Sequence, residues 1–200
     1  MRTKLILLAG AALLATAYRA RGQSSENLTD FRQKQQRTTK TGMLTLGSWA
    51  VGNFVVSGLS LNQPKDDRYY FHQMNVLWNT VNVTLAGLGY WQATRLDTKH
   101  ASLTEAVKSH HSLRRKLLFN AGLDVAYGVG GFYLLERAKN DPEEAARWRG
   151  YGRSLILQGG FLLAFDAVLY LIVRNQADSL DVLLNKLTVR PGGVGFIHRF

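Results

Sequence analysis

The sequence predicts an all-α protein, a four-helix transmembrane bundle of two antiparallel hairpins with short interfacial helices and a C-terminal extended arm. Three observations carry that prediction. Four apolar runs, 43–61, 74–91, 117–135 and 155–173, contain no Lys, Arg or Glu. Each has 18 or 19 residues, which at about 1.5 Å of rise per residue matches the hydrocarbon thickness of a bilayer. Tyr69, Tyr70, Tyr90, Trp91, Trp148 and Tyr151 stand at the edges of these runs, where amphipathic rings favour the membrane interface. A soluble bundle is the competing arrangement, but soluble helices carry charge on their outer face, and these runs show no Lys, Arg or Glu around the whole turn.

The elements follow in order. Residues 1–22 read as a signal peptide: Arg2 and Lys4, an apolar stretch over 5–17, then Ala20-Arg21-Gly22 as a small-x-small cleavage pattern. An uncleaved anchor is the alternative. Residues 23–42 are polar and basic, a linker or a short surface helix. The connection 62–73 is short and holds Pro64, so the first two runs form one hairpin. In the connection 92–116, Ser102-Leu103-Thr104-Glu105 has capping-box spacing, which predicts a basic amphipathic helix leading into the third run. In 136–154, Asp141-Pro142-Glu143-Glu144 reads as an N-cap, Pro at N1 and first-turn acids, hence a short surface helix ended by Gly150. The tail, 174–200, is basic. It has helical apolar spacing over 178–187 and short alternation around Pro191-Gly192-Gly193, the pattern of a small hairpin or extended arm.

Composition narrows the partners. In 200 residues, 25 Lys and Arg face 14 Asp and Glu, a formal charge of +11. The basic residues gather beside the apolar runs, as in Arg114-Arg115-Lys116 directly before Leu117. That placement points to anionic lipid headgroups rather than nucleic acid. The absence of Cys removes disulfides, thiolate catalysis and Cys-ligated metal. His100, His110 and His111 have no metal-ligand spacing, no catalytic triad or phosphate loop is present, and no cofactor is implied.

What remains is a polar interior. Asp124 and Asp166 each sit alone inside an apolar run, where an ionisable group is costly and is a functional candidate by default. Counted from one membrane face, Asp124 is the eighth residue of 117–135 and Asp166 the eighth of 155–173, so the carboxyls are expected at matching depth, near Asn53 and Asn82. Asn75, Asn79 and Asn82 share one stripe of the second run, and Trp49, Asn53 and Ser57 share one of the first. Asn120 lies on the Asp124 face and Gln158 a turn or two from Asp166. Lipid satisfies none of these groups, so they meet inside the bundle. Two carboxyls brought together cannot both ionise readily and share a proton. Gly122, Ala126 and Gly130 form a small-residue seam suited to close helix packing within the bundle or between copies.

The stretches LGSWAVGNFVVSG, FHQMNVLWNTVNVTLAGLGY, FNAGLDVAYGVGGFYLLER and GYGRSLILQGGFLLAFDAVLYL resemble an uncharacterised family of small bacterial membrane proteins of the Bacteroidetes type. The resemblance spans 42–173, implies four spans and a Gram-negative inner membrane, and brings no activity with it.

Three functions stay open. The first is a non-enzymatic bundle that binds a protein partner, a second copy, a lipid or a small ligand. Asp124, Asp166, Asn53, Asn79, Asn82, Asn120 and Gln158 are its candidate ligand or ion residues, and Arg114, Arg115 and Lys116 its headgroup residues. The second is a proton- or cation-linked carrier using the Asp pair. The third is a membrane enzyme using the same carboxyls as acid and base. Orientation is undecided. A cleaved signal places 23–42 outside, whereas that side carries twice the Lys and Arg of the other, and cytoplasmic loops are normally the basic ones.

Overall fold

A computed structural model describes residues 2–62, 64–100, 102–178 and 180, with side chains from Glu26 onward. The described residues form four helices and no strand: α1 (Arg2–Leu59), α2 (Asp67–Thr94), α3 (Leu103–Asn140) and α4 (Ala145–Asn175). The hairpin or arm expected within 174–200 falls on 181–200, outside the described residues.

Local signals explain where three helices begin. Asp66 caps α2 in an extended conformation, its carboxylate accepting from the backbone N–H of Arg68 and Tyr69 at 3.0 Å each. Ser102 and Glu105 make the reciprocal capping box at the start of α3, as the spacing predicts. Between α2 and α3, the backbone N–H groups of His100 and Lys99 donate to Asp97 at 2.9 Å each. They hold its carboxyl below the usual range. Asp141 accepts from the Glu144 N–H at 3.4 Å and the Trp148 indole N–H at 3.1 Å, folding the turn before α4.

Two expectations about interfacial helices need correction. Residues 26–42 and 103–116 are helical, but as unbroken extensions of α1 and α3. They pack on each other: Phe31, Ala106 and Leu180 are buried together against Leu28, Leu103 and Val107. Arg32 is buried beside them, donating to the Asp97 carbonyl at 3.1 Å and to the Ser109 hydroxyl at 2.8 Å. Likewise, Gly150 does not end a surface helix; α4 runs straight through it. A Cβ there would stand 2.5 Å from the Asp67 carbonyl oxygen and 2.6 Å from Tyr70 Cβ. The glycine is needed for close approach of α4 to α2, not for a stop.

The packing is asymmetric. α3 packs most extensively on α4 and α1 on α2, with α2 and α4 joining the two pairs. α3 scarcely touches α1 or α2, so the seam between α3 and the α1–α2 pair is the loosest in the molecule. Burial is inverted relative to a water-soluble protein. Asn75, Asn79, Asn82, Asp124, Ser154, Gln158 and Asp166 are buried, while Phe119, Val129 and Phe132 are 68, 62 and 64 % exposed. A contiguous apolar exterior of this kind faces lipid or a partner.

Three helices are long and apolar enough to cross a membrane: Glu26–Leu59 of α1, Leu103–Asn140 and Ala145–Asn175. The second of the four expected runs, which lies in α2, is not among them. Asn75, Asn79 and Asn82 lower its mean hydropathy, and those amides are turned inward, buried.

Candidate functional site

Two polar assemblies occupy the interior. The first ties α2 to α4 and α1. Asn75 Oδ1 accepts from Gln158 Nε2 at 2.7 Å and from Ser154 Oγ at 3.0 Å. Gln158 Oε1 accepts from the Trp49 indole N–H at 3.1 Å, and the Trp49 ring stacks on Phe161 with centroids 3.9 Å apart. Asn79 donates to the Asn75 carbonyl at 2.8 Å, and Asn82 reaches Asn79 Oδ1 at 3.4 Å. Asn79 and Gln158 have no exposed surface at all. Nearer the other face, His72 Nδ1 lies 3.2 Å from Ser57 Oγ, and Tyr151 donates to Gln73 at 2.7 Å. These polar groups make their bonds inside the protein, so this assembly is a fastening between helices.

The second assembly is Asp124 and Asp166, 4 and 5 % exposed. Their carboxyls lie close enough to interact, with the Asn120 amide beside Asp166. The backbones are not level, contrary to what the residue count predicts. A Cβ on Gly159 would meet the Asp124 carbonyl oxygen at 2.9 Å, and Gly159 lies two turns from Asp166. Side-chain direction closes the gap. Cα–Cβ bonds tilt toward a helix's N-terminus, so on antiparallel α3 and α4 the two carboxyls lean toward each other. Asp124 Oδ2 is buried without a donor among the described residues.

A cavity of about 540 Å³ adjoins the pair. Its walls come from all four helices: Leu46 of α1, Trp78 and Leu85 of α2, Leu117 and Tyr127 of α3, Phe165 of α4. Thr39 and Lys116 stand at its end toward the basic face. It lies along the loose seam between α3 and the α1–α2 pair. Trp78 and Tyr127 face each other across that seam, edge to face at 4.6 Å. The Trp78 Nε1 atom is buried without an acceptor among the described residues. An apolar chamber with a few convergent polar groups is the usual form of a small-molecule site.

The structure thus brings Asp124, Asp166, Asn120 and Asn82 to one cavity and sends Asn79 and Gln158 to the fastening. Asn53 joins neither; its amide donates to the Trp49 carbonyl of its own helix at 2.9 Å. Arg114 is turned inward, its guanidinium donating to the Tyr170 hydroxyl at 3.1 Å, while Arg115 and Lys116 are exposed. The seam of Gly122, Ala126 and Gly130 does not pack within the chain: a Cβ on Gly122 or Gly130 would meet nothing within 4 Å. Trp78 and Ser154 escape a reading of the sequence. A Trp inside an apolar run reads as lipid-facing, and a Ser as filler, until the partner helix is known. Among the described residues no group of three or more His, Asp or Glu could hold a metal ion.

Residues 45–167 match the model of a family of unknown function, DUF6992. No curated protein and no solved structure matches the chain.

Proposed function

The chain belongs to that family, whose function is unknown, and we propose that it is a four-span protein of the bacterial inner membrane that binds an apolar small molecule. The observation that carries this reading is the apolar chamber built around the Asp124–Asp166 pair on the loosest helix seam. A ligand dissolved in lipid enters between α2 and α3, which separate more readily than the closely packed α3 and α4. The carboxyl pair gives it a polar anchor that lipid does not offer. Among the described residues no nucleophile with an activating base lines the chamber, which favours binding over catalysis. The exposed Arg115 and Lys116, with the basic extensions of α1 and α3, favour a leaflet rich in anionic lipid.

The test is extraction of the purified full-length protein followed by mass spectrometry of what it carries. Wild-type protein is expected to hold an apolar molecule in near-stoichiometric amount. Asp124→Leu combined with Asp166→Leu is expected to lower its occupancy roughly tenfold, equivalent to about 1.4 kcal/mol of polar anchoring. Equal occupancy in both proteins would overturn the reading.

Two hairpins with all four helices spanning make a separate prediction, convenient because the chain has no Cys. Lys34→Cys and Lys99→Cys, made singly, should react with an impermeant maleimide from one side of sealed vesicles, and Lys65→Cys and Lys139→Cys from the other. Labelling of Lys34→Cys and Lys65→Cys from the same side would mean that α1 does not cross. A second reading, a proton- or cation-linked carrier, is favoured by the closeness of the two carboxyls. Proton flux in proteoliposomes that vanishes when both become Asn would establish it.

A further inference from the structure

Resting on the reading of the cavity as a ligand site, the polar groups in it narrow what the ligand is. Asp124 is almost wholly buried, and its Oδ2 receives no donor from the described residues; Trp78 Nε1, in the same cavity, finds no acceptor. Trp78 packs on Tyr127, one helical turn beyond Asp124, so the orphan donor and the orphan acceptor line the same chamber without bonding each other. A buried donor and a buried acceptor left unmet are each costly, so the group that satisfies both accepts from the indole and donates to the carboxyl.

That requirement discriminates among head groups. An ammonium donates but has no lone pair for Trp78. An ether, ketone or ester accepts but has nothing to give Asp124. A carboxylate accepts only, and brings a further negative charge to two neighbouring carboxyls. A neutral hydroxyl does both with a single oxygen, where an amide or a protonated carboxyl needs two atoms. We infer that the cavity takes an apolar molecule with an uncharged hydroxyl head, which bridges Trp78 and the Asp124–Asp166 pair while its hydrocarbon lies against Leu85, Leu117 and Phe165. Water also donates and accepts, but the leucine-lined remainder of the chamber does not hold it well. The hydroxyl is that of a free long-chain alcohol or of a glycerolipid, since both present the same chemistry.

The experiment uses the full-length protein in nanodiscs of zwitterionic lipid and a diazirine-bearing hexadecanol, with crosslinks mapped by mass spectrometry. Crosslinks are expected on α2 and α3 lining residues. Unlabelled hexadecanol should compete roughly tenfold better than its methyl ether or hexadecylammonium, the effect of one hydrogen bond. Trp78→Phe, which keeps an aromatic side chain and loses the indole donor, should remove most of that preference while leaving the fold intact. Competition by dioctanoylglycerol stronger than by hexadecanol assigns the hydroxyl to a glycerolipid, and the reverse to a free alcohol. If alcohol, ether and hexadecane compete equally, the cavity is an apolar ligand site and the hydroxyl inference is wrong. If hexadecylammonium competes best, the Asp pair takes a cation and the inference is again wrong. If crosslinks scatter over the lipid-facing surface and nothing competes, the ligand-binding reading itself fails.

Discussion

Gly131→Leu is expected to force α3 and α4 apart, whereas Gly130→Leu, one residue away, is expected to be nearly silent. A Cβ at Gly131 would stand 2.7 Å from both the Gly152 carbonyl oxygen and Ile156 Cγ1, and 3.0 Å from the Ile156 nitrogen. Two of those atoms belong to backbone inside α4 and cannot rotate away. Gly152 mirrors the contact, since its own Cβ would meet the Gly131 carbonyl oxygen at 2.7 Å. Overfilling such a contact costs about 1–3 kcal/mol by itself, and here it also disturbs the α3–α4 contact that brings Asp124 to Asp166. At Gly130 nothing lies within 4 Å, so a leucine there adds apolar surface to an already apolar exterior, with an effect within about 0.5 kcal/mol. Unfolding of both variants in mixed micelles by titration with a denaturing detergent measures the difference. Equal midpoints would mean that α3 and α4 do not meet through these glycines.

The same two glycines show where the sequence was legible and where it was not. The four helices, the capping box at Ser102 and the inward asparagine stripe are local matters of period and residue type, and they could be read directly. Which glycine face meets a neighbour is not local. Gly122, Ala126 and Gly130 have the spacing of a packing seam, but that spacing serves only where a facing helix lies on their side, and α4 lies on the side of Asp124 and Gly131 instead. The carboxyl pair could be foreseen because both acids are alone in their runs. Its register could not, because a residue count fixes the level of backbones and leaves out the lean of side chains. The continuity of α1 and α3 through their basic segments was hidden for a related reason: Phe31 and Ala106 look like stray apolar residues until each supplies the other's burial.

Asn75→Leu is expected to destabilise the protein although it makes α2 more apolar. On hydropathy alone the change should help, since α2 is the one helix of the four that falls short of a membrane-crossing composition. Yet Asn75 Oδ1 is the shared acceptor of Gln158 and Ser154, both fully buried on α4. A leucine leaves two donors without partners where neither lipid nor water reaches them, at about 1–3 kcal/mol each. It also frees Gln158 to turn away from Trp49, loosening α1 from α4. The expected loss is about 2–4 kcal/mol in the same detergent titration. Asn75→Leu with Gln158→Leu should lose less than the sum of the two single changes, because each removes a partner that the other had stranded. An additive double variant would mean the two amides do not depend on each other. The balance between hydropathy and partnership is what lets so polar a helix sit among three apolar ones: α2 holds its place through the bonds its asparagines make to α4, and its inward amides are tolerable only while α4 answers them.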